Sequence, residues 1–143
     1  QFAKTVERKT KKEKTISKYK KEAWIPFSKF IRLRDNGICF TCGKKVFGKG
    51  YHAGHFIARS ICGKSLYFSE INTHGQCYYC NINLGGNGAI YSIKMREKYG
   101  SDIVEKLNQE RLDRKNEQWT REELVEIKLK YEEKLGTAQE THD

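Results

Sequence analysis

Two CxxC pairs, Cys39-Phe-Thr-Cys42 and Cys77-Tyr-Tyr-Cys80, constrain this chain more than any other feature. Each pair sets two thiolates about one turn apart, and two such turns complete a tetrahedron around zinc. The 34 residues between Cys42 and Cys77 exceed the roughly 15 to 20 of a simple zinc ribbon. A zinc held by Cys39, Cys42, Cys77 and Cys80 must therefore clamp a subdomain, and the clamped insert contains His52, His55 and His74. Such a zinc is closed, four-coordinate and structural, contributing ~10 to 16 kcal/mol of apparent binding energy to folding. Cys62 has no partner in the pattern and reads as an ordinary loop cysteine. With four of five cysteines in metal spacing, a reducing, cytoplasmic compartment fits better than a disulfide scaffold.

The charge is unevenly placed. Residues 1–65 carry 17 Lys and Arg against 4 acids, whereas residues 66–143 carry 11 against 14. The basic half holds the cysteine-histidine insert. That asymmetry is the electrostatic footprint of a nucleic-acid binder, because neutralising phosphates releases condensed counterions. An anionic membrane surface is the competing partner, but no apolar run approaches the ~18 residues of a spanning helix, and no signal peptide or lipidation motif is read at either end. The chain opens on Gln1 rather than Met, as a cut or processed end would.

At 143 residues the chain suits one compact domain. Residues 1–21 are Lys-rich with few large apolar side chains and read as a solvated basic arm able to lie along phosphates. Phe27, Phe30, Ile31 and Leu33 make one apolar face of a short helix with Pro26 in its first turn and Gly37 past its end. Gly48-Lys49-Gly50 reads as a hairpin turn before a strand over Tyr51 to Ile57, and residues 58–68 as a loop. Three helices follow: Ile90 to Tyr99, one N-capped by Ser101 and running to about Leu112, and one opening on the capping box Thr120-Arg-Glu-Glu123 and ending at Gly136. Leu124, Ile127, Tyr131 and Leu135 are a packing stripe on the last helix. The tail from Thr137 reads as disordered.

Between Gly54 and Asn81 the sequence resembles the ββα-metal, or HNH, nuclease motif. Its elements are a histidine ending the first strand, an asparagine in a turn, and a third polar ligand on a helix. His55, Asn72 and Asn81 stand at those positions in order. HNH domains with zinc knuckles place the asparagine five residues before the third zinc cysteine and the last ligand directly after the fourth, as Asn72 and Asn81 are placed here. The resemblance implies His55 as the base that deprotonates water, Asn72 as the residue that fixes its loop, and Asn81 as a ligand to Mg²⁺ or Mn²⁺. Asn81 has a second reading, as the cap of a helix. Arg59 is either a phosphate clamp or an ordinary exposed arginine. Lys29, Arg32, Arg34, Lys44, Lys45 and Lys49 are further DNA-binding candidates.

One departure stands out. Many HNH domains carry Asp or His just before the catalytic histidine as a second metal ligand, and this chain has Gly54. His52 can supply the missing ligand if the strand is bulged, since residues three apart otherwise face opposite sides. His74 is the other candidate.

The resemblance narrows further. His52-Ala-Gly-His55-Phe56, Gln76-Cys77-Tyr-Tyr-Cys80-Asn81, Leu84-Gly-Gly-Asn87, Tyr91, Trp119-Thr-Arg-Glu-Glu-Leu124, and Arg32-Leu-Arg34-Asp35 leading into Cys39 look like the NinG (Rap) family of lambdoid phage recombination proteins. That implies a phage-encoded, structure-specific DNA endonuclease acting in the bacterial host on branched recombination intermediates, Holliday junctions and D-loops included.

The fold expected is α+β: a small zinc-stabilised ββα-metal core over residues 22–99, the basic arm before it, a helical extension over 100–136 and a tail over 137–143. The C-terminal helices are a candidate homodimer interface, because symmetric cleavage of a four-way junction suits two active sites. Two other functions compete. One is a non-catalytic, zinc-dependent DNA-binding recombination accessory protein, which Gly54 keeps alive; the other is a nicking HNH enzyme that reads sequence rather than branch structure.

Overall fold

The computed structural model describes residues 14–140. Helix α1, Ile16–Arg34, is N-capped by Thr15, whose hydroxyl accepts from the Lys18 amide at 3.2 Å. It starts well before the apolar run that predicts it. Lys and Glu are good helix formers, so the Lys-rich stretch extends the helix rather than staying a free arm. Only residues 1–13 of the expected arm lie outside the described residues. Pro26 therefore sits inside α1, not in its first turn. An interior proline costs ~3 kcal/mol, and burial of Ala23, Phe27 and Ile31 on the same helix offsets it.

A short 3₁₀ turn, Gly48–Gly50, leads into β1, Tyr51–His55, where a hairpin turn was expected. Helix α2, Gly63–Tyr67, occupies the stretch expected to be loop. Strand β2, Thr73–Cys77, pairs antiparallel with β1 in a two-stranded sheet, from Tyr51 opposite Cys77 to His55 opposite Thr73. The ladder is unbroken, so the bulge considered for His52 is absent. A π-helical turn, Tyr79–Asn83, follows. Helices α3, Gly88–Tyr99, α4, Ile103–Asp113, and α5, Arg121–Glu140, complete the chain. Helix α4 begins just beyond Ser101, and α5 runs through Gly136 into the expected tail; 141–143 lie outside the described residues.

The capping box on α5 is formed as read: the Glu123 amide donates to the Thr120 hydroxyl at 3.2 Å, and the Thr120 amide donates back to the Glu123 carboxylate at 3.3 Å. The α5 stripe packs on α1. Tyr131 lies edge-on to Phe27 at 4.9 Å between ring centroids and beside Phe30, with Ile127 against the same cluster. The apolar stripe of α5 is thus packed within the chain. A second cluster, built on Ile57, Cys62, Leu66, Tyr67, Tyr91, Met95 and Leu107, joins α2, α3 and α4. Among the described residues no helix is long and apolar enough to cross a membrane.

Arg34 and Asp35 tie α1 to the sheet. The Arg34 guanidinium pairs with the Asp35 carboxylate and donates to the carbonyls of Glu70 and Thr73, at 2.8 and 2.7 Å. The Gly75 amide donates to Asp35 at 2.6 Å. Burial works against the charged Asp35, but the hydrogen bonds from Arg34 and Gly75 outweigh it and hold the carboxyl below its ordinary range. Arg34 is consequently a structural anchor and not the free DNA-binding side chain expected of it.

Candidate functional site

The two CxxC pairs converge. All four sulfurs of Cys39, Cys42, Cys77 and Cys80 lie within 4.8 Å of one another. Tetrahedral zinc with Zn–S bonds of about 2.3 Å sets its sulfurs about 3.8 Å apart, and Cys42 Sγ and Cys77 Sγ stand at 3.8 Å. In each knuckle the fourth residue's amide points at the first sulfur, Cys42 N to Cys39 at 3.5 Å and Cys80 N to Cys77 at 3.4 Å. The knuckles are fixed to the sheet, since Cys77 ends β2 and the Phe40 amide donates to the Gly75 carbonyl at 2.8 Å. The four thiols could hold a metal ion and their donor set fits zinc; their place is architectural, joining the loop after α1 to the end of β2.

Beside it opens a cleft of about 410 Å³, walled by Trp24, Ser28 and Arg32 from α1, residues 51–55 from β1, Ala58 and Arg59 beyond it, and Asn81, Ile82, Gly85 and Gly86 from the turn after Cys80. His55 lies at the end of β1 against this cleft. Its Nε2 lies 2.7 Å from the Tyr67 carbonyl; a carbonyl only accepts, so Nε2 carries the proton and Nδ1 keeps its lone pair. The ring stacks on Trp24 at 5.0 Å between centroids and 23° between planes, with Tyr67 at 5.2 Å. Burial, first, and then the charges of Arg59 and Lys20 lower the His55 pKa, against the opposing effect of the Tyr67 bond. The imidazole is neutral at physiological pH.

Asn72 is fully buried just before β2. Its Oδ1 accepts from the Ile57 amide at 2.9 Å, and its Nδ2 donates to the carbonyls of Ile57 and Leu66, both at 3.2 Å. The Phe56 amide donates to the Asn72 carbonyl at 2.7 Å. One side chain thus fastens the chain leaving His55 to the α2 segment that carries Tyr67.

Asn81 sits in the π-helical turn, where no helix needs it as an N-cap, and its Nδ2 lies 3.1 Å from His52 Nδ1. His52 and Asn81 therefore meet in the cleft although the strand is regular. Gly54 is where a side chain has no room: a Cβ there would fall 2.0 Å from Gln76 Oε1 and 3.0 Å from Asn81 Oδ1. Gln76 stands in a family-like motif that assigns it no role, and Trp24 stands in none; one reaches the site across the sheet and the other from a helix distant in sequence.

His74 is not in the cleft. It is fully buried on β2, stacked on Phe40 at 4.0 Å, with Nδ1 3.1 Å from the Tyr91 hydroxyl and Nε2 2.7 Å from the Tyr99 hydroxyl. Both nitrogens are engaged in the core, which overturns its candidacy as a ligand. Burial, with a contribution from the charge of Arg34, lowers its pKa to about 3.

Among the basic candidates, Arg32 and Arg59 border the cleft. Arg32 is half-buried, its pKa is lowered by burial alone, and it has no ion-pair partner among the described residues. Lys20, from the expected arm, reaches the same neighbourhood with its ammonium 4.1 Å over the Tyr67 ring. Lys44, Lys45 and Lys49 are exposed around the first knuckle, outside the cleft, and Lys45 donates to the Asn36 carbonyl at 2.8 Å. Lys29 is exposed on α1. Cys62 is buried in the α2 core rather than lying in an open loop.

The family model described as Bacteriophage Lambda NinG protein matches residues 2–141. The chain belongs to the NinG family. It is 34% identical over 116 residues to Protein ninG of Salmonella phage P22, a stretch covering 80% of this chain and 55% of that protein. It is 31% identical over 116 residues to Protein ninG of Escherichia phage lambda, covering 80% and 54%. It therefore spans about half the length of these NinG relatives. No solved structure matches it.

Proposed function

We propose that the cleft is the active site of a metal-dependent endonuclease of the HNH type, which hydrolyses phosphodiester bonds in branched DNA such as Holliday junctions and D-loops. The observation that carries this reading is the His55–Tyr67 bond, which leaves a neutral imidazole with its lone pair on Nδ1 at the wall of a cationic cleft. Phosphodiester hydrolysis needs such a base, and it needs positive charge where the phosphate and the leaving oxygen become more negative.

His55 takes the proton of the attacking water on Nδ1, and Nε2–H stays with the Tyr67 carbonyl throughout, so the ring does not turn. Trp24 holds the ring plane from α1. Asn72 keeps the chain after His55 in place. Arg32 and Arg59 receive the scissile phosphate, with Lys29, Lys44, Lys45 and Lys49 meeting the backbone further along the duplex arms. Asn81 faces the cleft with an oxygen suited to Mg²⁺ or Mn²⁺. A divalent ion bound there would supply Lewis-acid neutralisation of the phosphate and leaving oxygen. The branched substrate rests on the NinG resemblance; charge and cleft alone support nucleic-acid cleavage.

His55→Ala separates this reading from that of a non-catalytic DNA-binding accessory protein. Nuclease function predicts lost cutting with retained junction affinity. A wild type that binds the junction and never cuts it leaves the binding protein.

A further inference from the structure

Among the described residues, Gln76 Oε1 is one of three buried side-chain polar atoms without a hydrogen-bond partner. The Gln76 side chain is fully buried, and Nε2 donates to the Gly86 carbonyl at 2.9 Å and to the Thr41 hydroxyl at 3.2 Å. The Gly86 carbonyl accepts only, which fixes which end of the carboxamide is nitrogen. Oε1 is left buried with no partner. A buried carbonyl oxygen without a hydrogen bond is costly and calls for an explanation such as an ion.

The place it points to is informative. Oε1 reaches within 2.0 Å of the point where a Cβ on Gly54 would stand, and Asn81 Oδ1 lies 3.0 Å from that same point. With the proton of His52 on Nε2, Nδ1 accepts from Asn81 Nδ2 at 3.1 Å and leaves Asn81 Oδ1 toward that point. Two uncharged oxygens thus converge where position 54 offers nothing. Oxygen ligands about 2.1 Å from one hard cation stand roughly 3 to 4 Å apart, which this convergence permits. Gly54 needs no positive φ, so the backbone would accept a side chain; only Gln76 and Asn81 bar it.

We propose that Gln76 Oε1 and Asn81 Oδ1 are paired ligands of the divalent cation in the cleft, Gln76 reaching across the sheet to replace the side chain that Gly54 lacks, with His52 positioning Asn81. The inference rests on the nuclease reading above for the existence of that cation. Its ligands carry no formal charge, so affinity without DNA is low, and the phosphate of a bound junction completes the site.

The test measures Mn²⁺ binding rather than cutting. Full-length His55→Ala protein is held on a four-way junction, and free Mn²⁺ is followed by electron paramagnetic resonance during titration. Adding Gln76→Leu is expected to weaken the junction-dependent Mn²⁺ affinity by at least about tenfold, with one zinc per chain and with junction affinity in the absence of added Mn²⁺ unchanged. Adding Gly54→Asp with Gln76→Ala, which vacates the space and returns a carboxylate to position 54, is expected to restore it. Unchanged Mn²⁺ affinity in Gln76→Leu overturns the proposal. If Gln76→Leu loses its zinc or its fold, the paired variant decides: folded with Mn²⁺ bound supports the swap, and folded without it overturns it. Absence of any junction-dependent Mn²⁺ site in the His55→Ala parent is a separate outcome that removes the nuclease reading and this inference with it.

Discussion

His55 Nε2 donates to the Tyr67 carbonyl at 2.7 Å, and this one bond decides which nitrogen keeps its lone pair. Tyr67 is the last residue of α2, and α2 is itself fastened to the chain after His55 through Asn72. The tautomer of the His55 imidazole is therefore set by the fold of the segment following it.

The pH dependence follows from burial. His55 has its pKa lowered chiefly by desolvation, and a base works when unprotonated, so a lowered pKa moves the rising limb of the profile to lower pH. The kcat/KM for junction cleavage should climb through a midpoint below pH 6.5 and be level at neutrality. His55→Ala should lose on the order of 10²- to 10⁴-fold in rate. A limb centred at or above pH 6.5 would contradict the desolvated base.

Zinc should be inseparable from folding. Cys42→Ser removes one donor from a cluster with all sulfurs inside 4.8 Å, and the knuckles supply the attachment between the loop after α1 and β2. Elemental analysis should give one zinc per wild-type chain, and chelation or Cys42→Ser should lower the thermal midpoint sharply. A chelated protein melting at the wild-type temperature would show the cluster to be dispensable.

Arg32→Ala tests the phosphate contact. The half-buried guanidinium has no ion-pair partner among the described residues, so little internal stability is lost with it. Junction affinity should fall, and the slope of log K against log salt should shrink by about 1. Equal salt slopes in the two proteins would place Arg32 outside the interface.

His74 gives a prediction about stability. Its folded pKa is about 3, against about 6.5 for a free histidine. The unfolded chain thus binds a proton first as pH falls, and stability is lost from about pH 6.5 downward toward the folded pKa. By NMR the His74 ring should remain neutral at pH 5. A ring titrating near 6.5 would mean that the Tyr91 and Tyr99 hydroxyls do not hold it as described.

Much of the site is legible in the sequence because it depends on short spacings. The cysteines are paired by CxxC turns, and His55, Asn72 and Asn81 are placed by their distance from those cysteines. Lost to such reading is whatever depends on packing between distant segments. Trp24 reaches His55 from α1, and Gln76 reaches Gly54 diagonally across β1 and β2. Arg34 and His74 have the residue types of a phosphate contact and a metal ligand. The fold uses them instead to clamp Asp35 and the Thr73 carbonyl, and to bridge two tyrosines. The start of α1 is missed because lysines compatible with a free arm are equally good helix formers.

The decisive experiment incubates a labelled four-way junction and the matching linear duplex with wild type and His55→Ala, each in Mg²⁺, Mn²⁺ or EDTA. A branch-specific HNH nuclease gives cutting confined to the junction, dependent on the divalent ion, and absent in the variant. Tight junction binding by wild type with no cutting in either metal would contradict that reading.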